Sequence, residues 1–366
     1  MLIGPWPPPV HGMAVMHARM ADAIAARAPV RRFDVAGPVP RRGDPPGRAG
    51  RVANLVALAA CIGRAMRAQP RPRSVFLSTS AGGVMWFDAW CASRAAAAGV
   101  PLHVHHHSWA CLEDGGLAWY RRGAFARLRP HRHWVLCEAM RERLVSRHAV
   151  EPEAVGVLSN AALCPPVVCG GKPVRPPPGV PFTLGFFSNV VASKGIGAFL
   201  DVVERLQGAG RLVAARVAGP VDASIATFVH GRLAALRDAR YVGALRGDAD
   251  KRSFFAGVHR LLLPSRHVHE AEPLVVIEAL AHGVPVIATD RGCLPTAWAH
   301  PRVVRLFAAD AFVDAASVAI AASMDAPDDL AADAAAATAW HRARHDASRA
   351  QREAALAEIT QAPPAD

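Results

Sequence analysis

The sequence predicts an α/β protein built from two Rossmann-like domains that face each other across a cleft. At 366 residues the chain is long for a single hydrophobic core. Short apolar runs alternate with helical segments, a pattern typical of parallel sheets with helices on both faces. A Pro/Gly-rich stretch interrupts this alternation, which then restarts. We therefore expect an N-terminal domain at 1–168, a linker at 169–181 and a C-terminal domain at 182–366.

Before the linker, strands and helices alternate from the first residues. Each predicted strand is a short apolar run, and a loop separates it from the next helix. The predicted strands are 2–3, 74–77, 102–105, 133–136 and 155–158, and the predicted helices are 13–26, 86–98 and 139–147.

After the linker the same order begins again. The predicted strands are 183–187, 211–218, 260–263 and 285–289, and the predicted helices are 196–206, 225–235, 251–258 and 273–282. The tail at 308–357 is Ala-rich and helical. Because open parallel sheets bind ligands at the carboxyl ends of their strands, the loops that follow these strands are the candidate binding segments.

The helix predicted at 273–282 is apolar on nearly all sides, which indicates burial. It begins with a proline, ends before Gly283 and leads into a buried strand. Glu278 lies on this helix, and a buried carboxylate needs partners. Glu270 precedes the helix, whose free N–H groups and positive dipole end suit a phosphate. The segment therefore predicts a pocket for a polyhydroxylated ligand that carries phosphate.

Glu270 and Glu278, with seven residues between them, resemble the donor-site motif of the retaining family 4 glycosyltransferases, which belong to glycosyltransferase group 1 and have the GT-B fold. The match includes Pro273, three residues after the first glutamate, and Ala279 after the second. The Gly-Val-Pro turn at 283–285 also fits. The resemblance implies an α/β protein of the GT-B fold whose C-terminal domain binds a nucleotide-sugar donor and whose N-terminal domain lies on the acceptor side. It also implies a final helix that packs back on the N-terminal domain.

In the resembling family, Glu270 positions sugar hydroxyls and Glu278 accepts hydrogen bonds from the ribose. The diphosphate lies at the start of the helix. The resemblance therefore implies further donor-binding residues at Pro273, Leu274 and Val275.

Lys194 follows a predicted strand and stands at a helix start, where a lysine can place a point charge on a diphosphate. The whole chain has only three lysines, which favours a function for this one. The family has an arginine and a lysine on the donor phosphates here. Lys194 matches the lysine, whereas Asn189 occupies the arginine position and can donate only a neutral hydrogen bond. An ordinary surface lysine is the alternative.

Two N-terminal segments are candidate ligand contacts. A Pro-rich loop ends at Gly12, which lets the backbone approach a ligand closely. Four histidines, at 103, 105, 106 and 107, follow the predicted strand start. Alternation along a strand gives them poor tetrahedral geometry for a metal. The resemblance assigns His107 to the donor sugar near the reacting carbon. A structural role in the core and a metal site are the alternatives.

Positive charge is concentrated in the first half of the chain. Residues 1–170 contain 21 Lys and Arg against 10 Asp and Glu, whereas residues 171–366 contain 21 against 20. This bias suits an anionic membrane surface or another polyanion. No nucleic-acid-binding motif accompanies it, so nucleic acid is not an expected partner. No apolar stretch is long enough to span a bilayer, and the start does not resemble a signal peptide. We expect a cytoplasmic protein with peripheral attachment at the inner membrane face.

The leading hypothesis is a retaining hexosyltransferase-type glycosyltransferase that moves a sugar from a nucleotide-sugar donor to a glycan or polyprenyl-linked acceptor in cell-surface polysaccharide synthesis. His107, Lys194 and Glu270 are the expected catalytic residues. No metal or other cofactor is expected, because Asp248 and Asp250 precede a predicted helix and are interpreted as capping it. The alternatives are a GT-B epimerase or phosphorylase and a non-enzymatic polyanion-binding protein.

Overall fold

The computed structural model describes residues 1–8, 10–36, 48–79, 85–109, 112, 130–167, 179–326 and 329–361, with the backbone alone for 48–52. The chain forms two compact units. The N-terminal unit comprises Met1–Leu163 with Ala347–Asp366, and the C-terminal unit comprises Cys164–Asp346. Most of the predicted linker at 169–181 lies outside the described residues.

The described part of the N-terminal unit contains one six-stranded parallel sheet in the order β2-β1-β3-β4-β5-β6. The two central strands, β3 and β4, are buried along their whole length. The strands are β1 (Leu2–Gly4), β2 (Arg32–Asp34), β3 (Val75–Thr79), β4 (Leu102–His106), β5 (Arg132–Val135) and β6 (Val155–Val157). The helices are α1 (Gly12–Ala25), α2 (Arg48–Arg67), α3 (Met85–Ala97) and α4 (Glu138–His148).

The described part of the C-terminal unit also contains one six-stranded parallel sheet, in the order β12-β11-β10-β7-β8-β9. Its strands are β7 (Phe182–Phe187), β8 (Val213–Ala218), β9 (Ala239–Gly243), β10 (Arg260–Leu263), β11 (Val286–Thr289) and β12 (Val304–Phe307). Its helices are α5 (Ile196–Gly208), α6 (Ala226–Ala235), α7 (Asp248–Ala256), α8 (Leu274–Ala281), α9 (Phe312–Asp325) and the first part of α10 (Asp329–Gln361). From Ala347 onward, α10 belongs to the N-terminal unit. The prediction of parallel α/β sheets is confirmed in both units.

The sequence analysis did not predict β2, α2, β9 or β12. The edge strands β2 and β9 have partly exposed residues and therefore lack a continuous apolar run. The Ala-rich sequence of α2 has no polar face that would mark a helical period. The predicted tail is two helices, α9 and α10. Asp333 on α10 forms ion pairs with Arg260 and Arg302, which tie the helix to the sheet.

The interpretation of Asp248 and Asp250 as N-terminal caps is wrong. Helix α7 begins at Asp248 itself, and its N-cap is Gly247, which provides no side-chain hydrogen bond. Both aspartates lie in the first turn, where their negative charge interacts favourably with the positive end of the helix dipole. The Asp250 carboxylate accepts a hydrogen bond of 2.7 Å from the backbone N–H of Arg246. In the described residues, no helix has both the length and the apolar character needed to cross a bilayer.

Candidate active site

Two neighbouring strands bring the predicted donor residues to one edge of the C-terminal sheet. Strands β7 and β10 are parallel and adjacent. The loop that follows β7 leads to Lys194, and the loop that follows β10 contains Glu270. Because both loops leave the carboxyl ends of their strands, residues 76 positions apart in the sequence come into contact.

The turn that carries Lys194 depends on the next residue, Gly195, whose backbone conformation favours glycine. Lys194 ends a short 3₁₀ turn, Ala192–Lys194, and Gly195 follows with φ of +81°. A Cβ atom on Gly195 would lie 2.0 Å from the carbonyl oxygen of Pro264, so no other residue can occupy this position without moving the backbone. This close approach packs the Lys194 turn against the end of β10.

Lys194 and Glu270 form an ion pair. The Nζ atom donates to Oε2 of Glu270 at 2.6 Å, and the hydroxyl of Ser265 donates to the same oxygen at 2.8 Å. The two charged side chains are 18% and 9% exposed, so water screens the pair only in part. The other oxygen of Glu270, Oε1, has no hydrogen bond from the residues that the structure describes. It can therefore accept a hydrogen bond from a ligand hydroxyl.

Glu278 forms a second ion pair, with Lys251. The Nζ atom of Lys251 donates to Oε1 of Glu278 at 2.6 Å, and the side chains are 19% and 12% exposed. The sequence analysis expected Glu278 to need a partner but did not identify Lys251. The rarity of lysine could have identified Lys251, because two of the three lysines in the chain pair with the two glutamates of the motif.

The predicted helix at 273–282 is α8, which begins one residue later than expected. Pro273 occupies its N-cap position, and Leu274 and Val275 form the start of the helix. Pro273 lacks an N–H, so the first backbone donors at this end belong to Leu274 and Val275. Both residues are partly accessible. The N-terminal end of α8 is thus three residues after Glu270 in the chain, because Pro273 is its N-cap.

Asn189 is exposed in the loop between β7 and Lys194. It adds no charge to the site. Two further side chains lie in this region: Ser265, which the sequence placed at the end of a strand on the donor side without assigning it a role, and His267, which was not predicted. His267 shares a 3.3 Å hydrogen bond with the hydroxyl of Ser193, and burial together with the nearby Lys194 lowers its pKa. An isolated serine or histidine after a strand carries no distinctive pattern, so the sequence alone could not have identified either.

Gly12 and His107 belong to the N-terminal unit. Gly12 is the first residue of α1, and the ring Nδ1 of His11 caps the helix by accepting from the N–H of Ala14 at 3.3 Å. His107 follows the last residue of β4, at the carboxyl end of the sheet. Its Nε2 atom is buried and has no hydrogen bond from the described residues. Its ring lies 4.0 Å from that of His105, centre to centre.

The imidazoles of β4 are buried and neutral. Burial lowers the pKa of His103 to about 3 and that of His105 to about 4. Burial, with the charges of neighbouring histidines, also holds the pKa values of His106 and His107 well below the ordinary value. A neutral His107 can exchange a hydrogen bond with a hydroxyl. The metal alternative finds no geometric support, since no three His, Cys, Asp or Glu among the described residues are grouped around a common point.

Comparison with known proteins gives one family match. Residues 181–323, all within the C-terminal unit and less than half of the chain, match the family model described as Glycosyl transferases group 1. No curated protein matches the chain.

Solved structures match over nearly the whole chain. HepE from Anabaena, solved in complex with UDP and glucose, superposes with a TM-score of 0.70 at 15% identity over 98% of this chain and 99% of that one. A glycosyltransferase from Rickettsia africae superposes with a TM-score of 0.67 at 13% identity over 99% of both chains. WaaB, a lipopolysaccharide outer core galactosyltransferase, gives 0.61 at 14% identity over 95% of this chain and 98% of that one. These similarities confirm the predicted GT-B fold.

Proposed function

We propose that the chain is a retaining glycosyltransferase. Residues 181–323 match the glycosyl transferases group 1 model, and the chain has the GT-B fold. It would move a sugar from a nucleotide-sugar donor to a glycan or lipid-linked acceptor in cell-surface polysaccharide synthesis. The observation that carries this proposal is the pairing of both motif glutamates with lysines beside the start of α8. This arrangement offers cations and helix N–H groups to a diphosphate and carboxylates to sugar and ribose hydroxyls.

Lys194 would stabilise the leaving group. When the bond between the anomeric carbon and the diphosphate oxygen breaks, negative charge increases on that oxygen. The Lys194 ammonium uses only one of its three N–H bonds, for Glu270, within the described residues. A second N–H can therefore donate to the diphosphate while the pair with Glu270 persists. The N–H groups of Leu274 and Val275 would add the favourable field of the helix end.

The glutamates would orient the donor. Oε1 of Glu270 is available for a sugar hydroxyl, and the second oxygen of Glu278 is available for the ribose. The acceptor hydroxyl would attack the anomeric carbon from the side of the leaving group and give its proton to the departing phosphate oxygen. Retention then requires no covalent intermediate on the protein. His107 in the N-terminal unit would hydrogen-bond the donor sugar as a neutral imidazole, and Gly12 would let the backbone approach the ligand.

We further propose that the reaction uses no metal cofactor, since Lys194 and the N–H groups at the start of α8 can donate hydrogen bonds to the diphosphate. A uridine donor is the first choice to test, because HepE was solved with UDP and glucose. The basic first half of the chain favours an acceptor on an anionic membrane, with the enzyme in the cytoplasm and attached at the inner membrane face.

The test is a donor screen with UDP-glucose, UDP-galactose, UDP-N-acetylglucosamine and GDP-mannose, in which release of nucleoside diphosphate is measured with and without EDTA. We expect turnover of one donor, unchanged by EDTA, and its loss in Glu270→Gln. An NMR spectrum of the product, recorded before a free sugar can mutarotate, should show the same anomeric configuration as the donor. Inverted configuration would exclude retention, and rescue by manganese after EDTA would exclude metal-free turnover. A free epimerised sugar nucleotide would instead support an epimerase.

A further inference from the structure

The two lysine–glutamate pairs of the C-terminal unit and the start of α8 form what we call the donor edge. This donor edge lacks net positive charge. Lys194 is offset by Glu270 and Lys251 by Glu278, and Asn189 is neutral. A nucleotide sugar brings two negative charges on its diphosphate. The inference that follows rests on the proposed function, because it concerns the same donor site. The compensating cation should be a group that the structure leaves without an anionic partner.

The loop that follows β11 is packed directly on the backbone of the motif. Gly292 has φ of +60°, and a Cβ atom on it would lie 2.3 Å from the carbonyl oxygen of Ala271 and 2.6 Å from that of Glu270. The N–H of Cys293 donates to the Ala271 carbonyl at 2.8 Å. Close packing therefore fixes the position of this loop next to Glu270, the residue expected to bind the donor sugar.

Arg291 stands in this loop, immediately before Gly292. It is half-buried, and its Nε atom is inaccessible to solvent without a hydrogen bond from the described residues. None of those residues forms an ion pair or ring contact with it. Every other described arginine of the C-terminal unit that is not exposed has a carboxylate, carbonyl or aromatic partner; these are Arg211, Arg216, Arg232, Arg260 and Arg344.

We infer that Arg291 is the additional cation of the donor site and binds an anionic group of the nucleotide sugar. The guanidinium presents a planar fork of donors that matches the oxygens of a phosphate or a carboxylate. A buried Nε–H without a hydrogen-bond partner is costly, and an anion bound to this guanidinium would remove that cost. Two groups supply this chemistry: the diphosphate common to all donors, and the carboxylate of a uronic acid sugar.

Arg266 provides a matched control. It lies in the loop after β10, four residues before Glu270, and carries the same charge. Its guanidinium donates to the carbonyl of Ala309 at 2.8 Å, and the residue is exposed. Replacing it with glutamine removes one positive charge from the same edge of the sheet, without removing an unpartnered group. The difference between the two variants therefore separates a direct contact from a general effect of charge.

The experiment measures the Kd of UDP, UDP-glucose and UDP-glucuronate by calorimetry for the wild type, Arg291→Gln and Arg266→Gln. Loss of a hydrogen bond to a charged group should weaken binding by roughly 10-fold to 100-fold in Arg291→Gln, and Arg266→Gln should change it by less than about threefold. A loss shared by all three ligands assigns the diphosphate. A loss confined to UDP-glucuronate assigns the sugar carboxylate. Arg291→Lys should recover only part of the affinity, because an ammonium cannot replace the fork.

Two results would overturn the inference while the proposed function stands. One is unchanged affinity of Arg291→Gln for every ligand that the wild type binds. The other is an equal loss in both glutamine variants, which would indicate long-range charge alone. Failure of the folded wild type to bind any nucleotide or nucleotide sugar, with GDP and ADP forms included, would instead reject the proposed function and this inference together. Circular dichroism of each variant confirms that the fold is intact.

Discussion

The two units place polar groups at the carboxyl ends of their parallel sheets, but they use different chemistry. The N-terminal unit buries neutral imidazoles along β4, next to a fully buried β3. The C-terminal unit instead has two lysine–glutamate pairs, which are partly accessible. Neutral rings can be packed against one another, as the 2.9 Å hydrogen bond between His106 and His133 shows. Charges need pairing and some solvent, because full burial would cost several kcal/mol for each ion.

This difference indicates separate duties. A neutral imidazole such as His107 can orient a hydroxyl but cannot offset the charge of a phosphate. A lysine such as Lys194 can, and in the structure Glu270 offsets its charge. The contrast predicts that acid should reduce the stability of the N-terminal unit most. Removal of a lysine charge should affect only the C-terminal unit.

The largest expected effect is loss of stability of the N-terminal unit in acid. Burial lowers the pKa of His17 to about 3 and that of His133 to about 4, as it does for the imidazoles of β4. The unfolded chain therefore binds protons that the folded unit does not. The stability from these groups is present above pH 6.5 and is lost as the pH falls towards 4, on the order of several kcal/mol in total. Hydrogen exchange, corrected for its intrinsic pH dependence, should show peptides of the N-terminal unit losing protection first.

His103→Phe is the control for this prediction. Both ring nitrogens of His103 are buried without a hydrogen bond from the described residues, and its ring stacks on Trp134. The phenyl ring keeps the stacking and removes one titrating group. The acid transition should move to lower pH in this variant, with little change at pH 7. Equal loss of protection in both units, or an unchanged transition in His103→Phe, would contradict the comparison.

The second effect is on turnover in Lys194→Ala. Negative charge increases on the diphosphate in the transition state, so the loss should appear mainly in kcat. We expect a decrease of roughly a hundredfold, or about 3 kcal/mol, as for removal of one donor to a developing charge. Steady-state kinetics at saturating donor measures it. A near-normal kcat would remove Lys194 from the mechanism.

The smallest effect concerns the second pair. Lys251→Ala leaves Glu278 without its partner, and Glu278→Gln would weaken the hydrogen bonds proposed between Glu278 and the ribose. Both should raise the donor KM by about tenfold, the value of one such contact, while kcat changes little. These two variants also serve as controls for Lys194→Ala, because Lys251→Ala removes a lysine ammonium from the second pair instead of the first. A decrease in kcat as large as that of Lys194→Ala would show that the two pairs have the same duty.

Local patterns in the sequence predicted most of the fold. The buried strands β7 and β8 are mostly apolar, and helix α5 has a clear apolar face, so each could be recognised without its neighbours. The edge strands β2 and β9 are half-exposed and were missed. The capping role of Asp248 was wrong, because the turn before α7 is formed by a glycine.

The candidate site was only partly predictable for a different reason. The spacing of Glu270 and Glu278 is local, and the sequence alone indicated a donor site. Their partners are not local: Lys194 is 76 positions from Glu270, and Lys251 is 27 positions from Glu278. Such contacts follow from the strand order of the sheet, which residue patterns do not encode.

By itself, the sequence determined the alternation of strands and helices, the two-domain plan and the donor motif, because periodic burial and short spacings are properties of neighbouring residues. The tertiary structure decided which charges are paired and which are not. Only the packing of the β11 loop on the motif shows Arg291 without a partner beside Glu270, and only the sheet shows that the imidazoles of β4 are buried rather than grouped around an ion. The physical reason is that pairing and desolvation depend on distances in space, which the fold sets.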